Sequence, residues 1–228
     1  MADEWIPLYI KPRGLKVAVF GGGSVATRRA KLFAEAGAEV TVYALEFSDQ
    51  LKELSEQGLV RLREIDLSKT DLESLINGAS IIVIALNDLE LSRRISSLAL
   101  EKGMLVNNAV EVSRGNVIVP YRGKTSYGLY ISTTSLGETG IGARRALERL
   151  LEVLERDPYY KTLFKAMARV KKYLKENVAD PKLRFKANLA ADADEEVHRL
   201  AEKGLEEEAY RRALRSALKA VEDTDDPR

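Results

Sequence analysis

The chain has no cysteine in its 228 residues, which excludes disulfides, thiolate metal sites and any thiol nucleophile. An excess of charge of one sign is missing too. Thirty-six Lys and Arg stand against 35 Asp and Glu, so no global field marks a nucleic acid or a membrane surface as partner, although a local basic pocket stays open. No apolar run approaches the roughly 20 residues of a membrane span. The opening "MADEWIPLYIKPRG" lacks the charged-then-apolar pattern of a secretion signal. The expectation is therefore a soluble cytoplasmic protein with no nucleic-acid partner. What the chain does have is 45% hydrophobic residues, enough to bury a core in one domain with an accessory region.

From Leu15 onward, short apolar runs alternate with helical segments. "KVAVF" (Lys16–Phe20) ends at a glycine, as a buried parallel strand does. Ala26, Ala30, Phe33 and Ala34 then recur at helical spacing, and Gly37 closes the helix. "EVTVYA", "VRLREI", "SIIVIAL" and "MLVNN" supply four more strands, with a helix over about 89–102 before the last. Strands alternating with helices imply right-handed crossovers and a Rossmann-type parallel sheet over residues 1–112. "NVIVP" and "YGLYIST" predict a small antiparallel β unit within 113–156, followed by a helix over 140–156. Residues 157–228 read as a helical region. Asp157-Pro158 opens it and Asp180-Pro181 interrupts it. Tyr160, Leu163, Phe164, Met167, Val170 and Leu174 form an apolar stripe, and two further helices are split by Gly204. The charged tail "EDTDDPR" is expected to fray.

Gly21-x-Gly23-x-x-Ala26 follows a strand directly and opens a helix, the setting in which this spacing binds a dinucleotide. The first glycine makes the turn, the second clears space for a pyrophosphate, and Ala26 lets helix and strand approach. The helix start supplies free N–H groups and a favourable dipole. Gly21, Gly22, Gly23, Ser24 and Val25 are thus cofactor candidates. The alternative is a tight turn without a ligand. No Asp or Glu stands at the end of "VTVYALE" where a ribose-binding acid is usual. Glu46 comes slightly late, so the fingerprint leaves NAD and NADP both open. Asn87 and Asp88, at the carboxyl end of the fourth strand, either line the nicotinamide side or, for Asp88, cap the helix that begins at Leu89.

In this order the motifs resemble those of the precorrin-2 dehydrogenase family, the N-terminal module of siroheme synthase. "WIPLYIKPRGLKVAVFGGGSVATRRAKLFAEAGAEVTVYALE" resembles the family's opening, and "IALND" its polar turn after the fourth strand. "LVNNAVEVSRGNVIVP" resembles its fifth strand, active-site loop and first dimerisation strand. "YISTTSLGETGIGARRALERLLE" resembles its Ser/Gly-rich loop and the helix after it. The resemblance covers about residues 5–155. It implies NAD-dependent oxidation of precorrin-2 to sirohydrochlorin, iron insertion in some members, and a homodimer that exchanges the middle section, with the helical region completing a tetrapyrrole cleft.

The chain departs from the family pattern twice. Where the family has an aspartate in a Val-Asp-x-Pro context, this chain has Val110 followed by Glu111. Ser135 falls at the family's serine, but Leu136 replaces a glycine and Gly140 a proline, which leaves iron insertion open. The resemblance makes Glu111 the candidate proton acceptor and puts Asn108, Arg114, Ser135 and Arg144 on the substrate side. Precorrin-2 is a polycarboxylate, and Arg114, Arg122, Lys124, Arg144 and Arg145 are the cations near the middle section. No residue is assigned to a metal. His198, the one histidine, reads as a surface or packing residue, and the tyrosines of "DPYYKTLF" as core of the helical region. Glu206, Glu207 and Glu208, with Arg211 and Arg212, read as a solvated, ion-paired face. The competing reading is a non-catalytic NAD(P)-sensing Rossmann protein, which would need neither the polar loop Asn107–Glu111 nor the basic middle section.

Overall fold

Every strand position from Val17 to Phe20 is buried, because this strand lies at the centre of a sheet covered on both faces. The computed structural model describes residues 4–223. Five parallel strands, β1 (Lys16–Phe20), β2 (Glu39–Ala44), β3 (Val60–Glu64), β4 (Ile81–Ile84) and β5 (Leu105–Asn108), stand in the order β3-β2-β1-β4-β5. Val19 is level with Val42 on one side and Val83 on the other, and Val83 with Asn107. The connecting helices are α1 (Ser24–Glu35), α2 (Asp49–Glu56), α3 (Leu72–Ile76) and α4 (Leu89–Glu101). One sheet face packs Val17, Val19, Val42 and Val83 against Ala30 and Phe33 of α1 and Leu51 of α2. The other packs Phe20, Ile82 and Ile84 against Ile76 of α3 and Ile95 of α4. Gly37, at φ +90, lets the chain leave α1 in the left-handed region, and Gly37 and Ala38 donate back to the Ala34 and Phe33 carbonyls.

"NVIVP" is not a strand, contrary to the sequence expectation. The Asn116 and Val117 N–H groups both donate to the Val106 carbonyl. The Asn116 side chain accepts from Val106 N–H at 2.7 Å and donates to the Met104 carbonyl at 3.0 Å. Side-chain amides thus fasten the segment beside β5, and Val119 packs into the core of the sheet's α1 face. Val117, Ile118 and Val119 are half-buried there.

The chain divides into two compact units between Val119 and Pro120. In the second, β6 (Tyr121–Lys124) and β7 (Tyr130–Thr133) pair antiparallel, so the first strand of the hairpin is "YRGK". A helix, α5 (Gly140–Arg156), lies against the hairpin, with Thr133 Oγ1 donating to the Ala143 carbonyl at 2.8 Å. Then come α6 (Pro158–Asn177), α7 (Pro181–Asp192), α8 (Glu195–Glu202) and α9 (Glu206–Glu222). Asp157, Asp180 and Asp194 cap α6, α7 and α8 through their side chains. After Asp180 there are three helices where the sequence suggested two, because Asp194 starts a helix of its own. Ala209, Ala213 and Ala217, all fully buried, line one face of α9, and Ala213 and Ala217 share a core with Val170, Leu174, Ala187 and Ala191. Within the expected α6 stripe, Val170 and Leu174 are buried, but Tyr160 and Phe164 are 44% and 38% exposed, with Thr162 and Ala166 taking the inward positions. The last residues of the charged tail, 224–228, lie outside the described residues.

Candidate dinucleotide site and the loop after the fifth strand

The three glycines of the turn are not equivalent. A Cβ on Gly21 would strike the Ala85 carbonyl, and Gly21 also sits at φ +118, so packing and backbone both require glycine there. A Cβ on Gly22 would strike the Glu46 carbonyl. Gly23 differs: its φ is an ordinary −83, and an added Cβ would meet nothing within 4 Å. Among the described residues nothing packs against Gly23 closely enough to require glycine; the open space above it is what a side chain would fill.

Gly23 is also the N-cap of α1, and no side chain caps this helix, whereas Ser48, Asp71 and Asp88 cap α2, α3 and α4. No acidic residue lies in the first turn of α1. Its N–H groups and positive dipole end therefore face the exposed surface at Gly23 and Ser24, an arrangement that accepts a phosphate. The turn is braced from behind. Gly21 N–H donates to the Tyr43 carbonyl and Ser48 N–H to the Gly22 carbonyl. Thr27 Oγ1 donates to the Gly23 carbonyl at 2.9 Å and lies 2.8 Å from Ser48 Oγ. The residues present thus fit a dinucleotide pyrophosphate, with Gly23, Ser24 and Val25 at the open edge and Gly21 and Gly22 shaping the turn.

Asp88 is engaged as a cap: its Oδ1 accepts from Leu91 N–H at 3.0 Å. Asn87 before it is exposed at the carboxyl end of β4.

At the end of β5 the structure corrects one expectation. Asn108, expected against substrate, is 1% exposed. Its Nδ2 donates to Ser96 Oγ of α4 at 3.0 Å. Its Oδ1 accepts from the N–H groups of Val110 and Glu111 at 2.9 and 2.8 Å. Both ends of the amide are spoken for, so Asn108 presents the loop and does not itself face a ligand. Asn107, 4% exposed, donates to the Val117 carbonyl at 2.9 Å, and its Oδ1 is buried without a partner. An acceptor left so typically costs about 1–3 kcal/mol.

Glu111 follows this anchor. Arg93 of α4 grips its carboxylate bidentately, Nε to Oε2 and Nη2 to Oε1, both at 2.8 Å. The Arg93 hydrogen bonds, outweighing partial burial and helped by the charges of Arg93 and Arg114, hold the Glu111 carboxyl below the usual carboxylate range. Arg114 lies in the short 3-10 turn Val112–Arg114 and is exposed. Arg93 went unnoticed in the sequence because its helix offered no motif; only the fold brings it to Glu111, 18 residues on.

In the second unit, Ser135 Oγ accepts from Thr139 N–H at 2.8 Å and shapes the loop ahead of α5. Leu136, where the family pattern has glycine, stands at φ +54 and is the one residue other than glycine with positive φ among those described. Arg144 and Arg145 both reach Glu148, at 3.6 and 2.9 Å. Lys124 lies 5.0 Å over the ring of Tyr130. His198 is a packing residue: Nε2 donates to the Asp192 carbonyl at 2.6 Å, and Nδ1 lies 2.9 Å from the Tyr159 hydroxyl. The glutamates at the start of α9 pair mostly across helices, Glu206 with Lys165 and Glu207 with Arg169, as well as with Arg211. Among the described residues no cluster of three His, Asp or Glu could hold a metal, and no helix is long and apolar enough to cross a membrane.

The profile of a domain family described as "Putative NAD(P)-binding" matches residues 8–121, half of the chain. The chain is 32% identical over 185 residues to the precorrin-2 dehydrogenase of Methanosarcina barkeri, covering 80% of each protein. It is 33% identical over 106 residues to the siroheme synthase of Nitrosococcus oceani, of whose length it spans 22%. A solved structure of SirC, a precorrin-2 dehydrogenase, superposes with a TM-score of 0.64 over 96% of this chain and 100% of that one, at 22% identity, which speaks for the fold. This chain belongs to the precorrin-2 dehydrogenase family.

Proposed function

We propose that the chain oxidises precorrin-2 to sirohydrochlorin with NAD. The observation that carries this reading is the space above Gly23, where glycine serves no packing need and an uncapped helix start faces outward. Kinship with the Methanosarcina barkeri dehydrogenase supplies the substrate. NAD, when bound, supplies the hydride acceptor. The turn Gly21–Val25 would hold its pyrophosphate.

In the reaction precorrin-2 loses two hydrogens: a hydride passes to NAD, giving NADH, and a proton goes to a base or to water. Glu111 is the carboxylate this reading assigns to the proton, with its backbone fixed by Asn108 and Ser96. Cations at Arg114, Arg122 and Arg144 suit the carboxylates of the substrate; Arg144 would have to leave Glu148 to take part. Residues 113–156 are assigned to dimerisation and 157–228 to a helical domain. Tyr121 on the α5 side of the hairpin, Tyr130 on its other face and Ile141 of α5, 43%, 55% and 72% exposed, are the apolar side chains this reading assigns to contact with a second subunit. The location would be cytoplasmic. NADH formation from precorrin-2 without oxygen tests the reading.

A further inference from the structure

The two halves of the Arg93–Glu111 pair are held in different ways. Glu111 is fixed from behind: Asn108 accepts its N–H, and Asn108 is tied to Ser96, each of the two 1% exposed. Its backbone stays where β5 and α4 put it. Arg93 is held at its tip alone. Among the described residues its guanidinium bonds to Glu111 and to no other acceptor, and its side chain is 49% exposed against 24% for Glu111. A guanidinium has five N–H donors in a planar fork. Glu111 occupies the edge made by Nε and Nη2; the edge made by Nη1 and the second Nη2 hydrogen remains for another carboxylate, which it matches in geometry.

We propose that Arg93 is a carboxylate-recognition residue of the substrate site, and that a substrate carboxylate arriving at its open edge draws it off Glu111 and leaves Glu111 to accept the proton. The inference rests on the assignment of Glu111 as base and adds its counter-ion as the element that substrate displaces. It also accounts for a contradiction in the resting arrangement. A carboxylate clasped by a guanidinium has its proton affinity depressed, the opposite of what a base needs. A pair that opens on binding confines that basicity to the occupied site. The charged groups facing Glu111 are Arg93 from α4 and Arg114 from the 3-10 turn; Arg114 remains in every variant below, so a change in proton affinity reports Arg93.

The test compares the full chain, Arg93→Gln and Arg93→Lys, each with saturating NAD. The first measurement is the affinity for sirohydrochlorin, the carboxylate-bearing product, followed by fluorescence. Arg93→Gln should bind at least about tenfold more weakly, the effect of losing one charge-assisted pair. Arg93→Lys, which keeps the charge and loses the fork, should fall between. The second is the pH profile of kcat/KM with precorrin-2. A base is lost as pH falls through its pKa, so freeing Glu111 from Arg93 in the free enzyme should move the acid limb to higher pH in Arg93→Gln. A purely structural ion pair would also move the acid limb, because its loss frees Glu111 in either case, but it would leave the sirohydrochlorin affinity of Arg93→Gln in place. Unchanged sirohydrochlorin affinity overturns the inference, whatever the melting temperature does. Weakened affinity in Arg93→Gln, beside a parent chain that yields no NADH from precorrin-2, would support the carboxylate site and count against the oxidation instead, so the two failures are separable.

Discussion

Gly22 lies against the backbone carbonyl of Glu46 so closely that a Cβ would overlap that oxygen, while one residue on, at Gly23, a Cβ would touch nothing. Two neighbouring glycines of one motif are therefore there for different reasons. Gly22→Ala should destabilise the fold, lowering the melting temperature. Gly23→Val should lower the melting temperature by no more than a poorer N-cap explains, a few degrees, and weaken NAD by at least about tenfold, or about 1.4 kcal/mol. Calorimetry and NAD titration of both variants check this. Full NAD affinity in Gly23→Val would make the turn a structural feature only.

Glu111→Gln keeps the size of the side chain and removes the base. Turnover of precorrin-2 should fall by about 100-fold or more, with NAD affinity retained because the glycine turn is untouched. Turnover within a few-fold of the parent would take Glu111 out of the mechanism and leave the proton to water.

Much of this was readable from residue order, for physical reasons. The sheet announced itself because β1 and β4 are buried on both faces and so are apolar without interruption. The glycine turn announced itself by its place between strand and helix. "NVIVP" misled because an apolar run looks the same whether it pairs as a strand or is fastened down by the side chains of Asn107 and Asn116. Asn108 misled because a buried amide that holds the backbone and a ligand-facing one have the same letter. Arg93 was invisible because its significance is a contact across the fold.

Asp194 ties the helical unit together: it caps α8 and accepts from Arg212 Nε at 2.6 Å and from Ser216 Oγ at 2.5 Å. Burial alone would raise its pKa, but the hydrogen bonds from Arg212, Ser216 and the Glu196 amide outweigh this and lower it. A carboxyl with a lowered folded pKa stabilises fully above its unfolded value, about 3.9, and loses that contribution as pH falls through the folded value. Asp194→Asn should therefore melt lower at neutral pH, by about 2 °C or more if even 1 kcal/mol is lost. The gap from the parent should shrink as the pH drops below about 4. A gap independent of pH would mean that the charge on Asp194 is not what holds these helices.

The exposed apolar residues of the hairpin and α5 predict self-association. Sedimentation at micromolar concentration should give about twice the mass of the 25.4 kDa chain. Replacing Ile141, 72% exposed, by Lys should shift the distribution toward monomer. A parent protein that sediments as a monomer would leave those side chains without the partner assigned to them.

The most direct measurement is an anaerobic incubation of the purified chain with precorrin-2 and NAD, following NADH and sirohydrochlorin by their absorbance in the same cuvette. The account predicts that both products form together, one NADH for each sirohydrochlorin, and that neither forms without NAD. Tight binding of NAD with no NADH formed from precorrin-2 would contradict it and would favour a nucleotide-sensing role for the same turn.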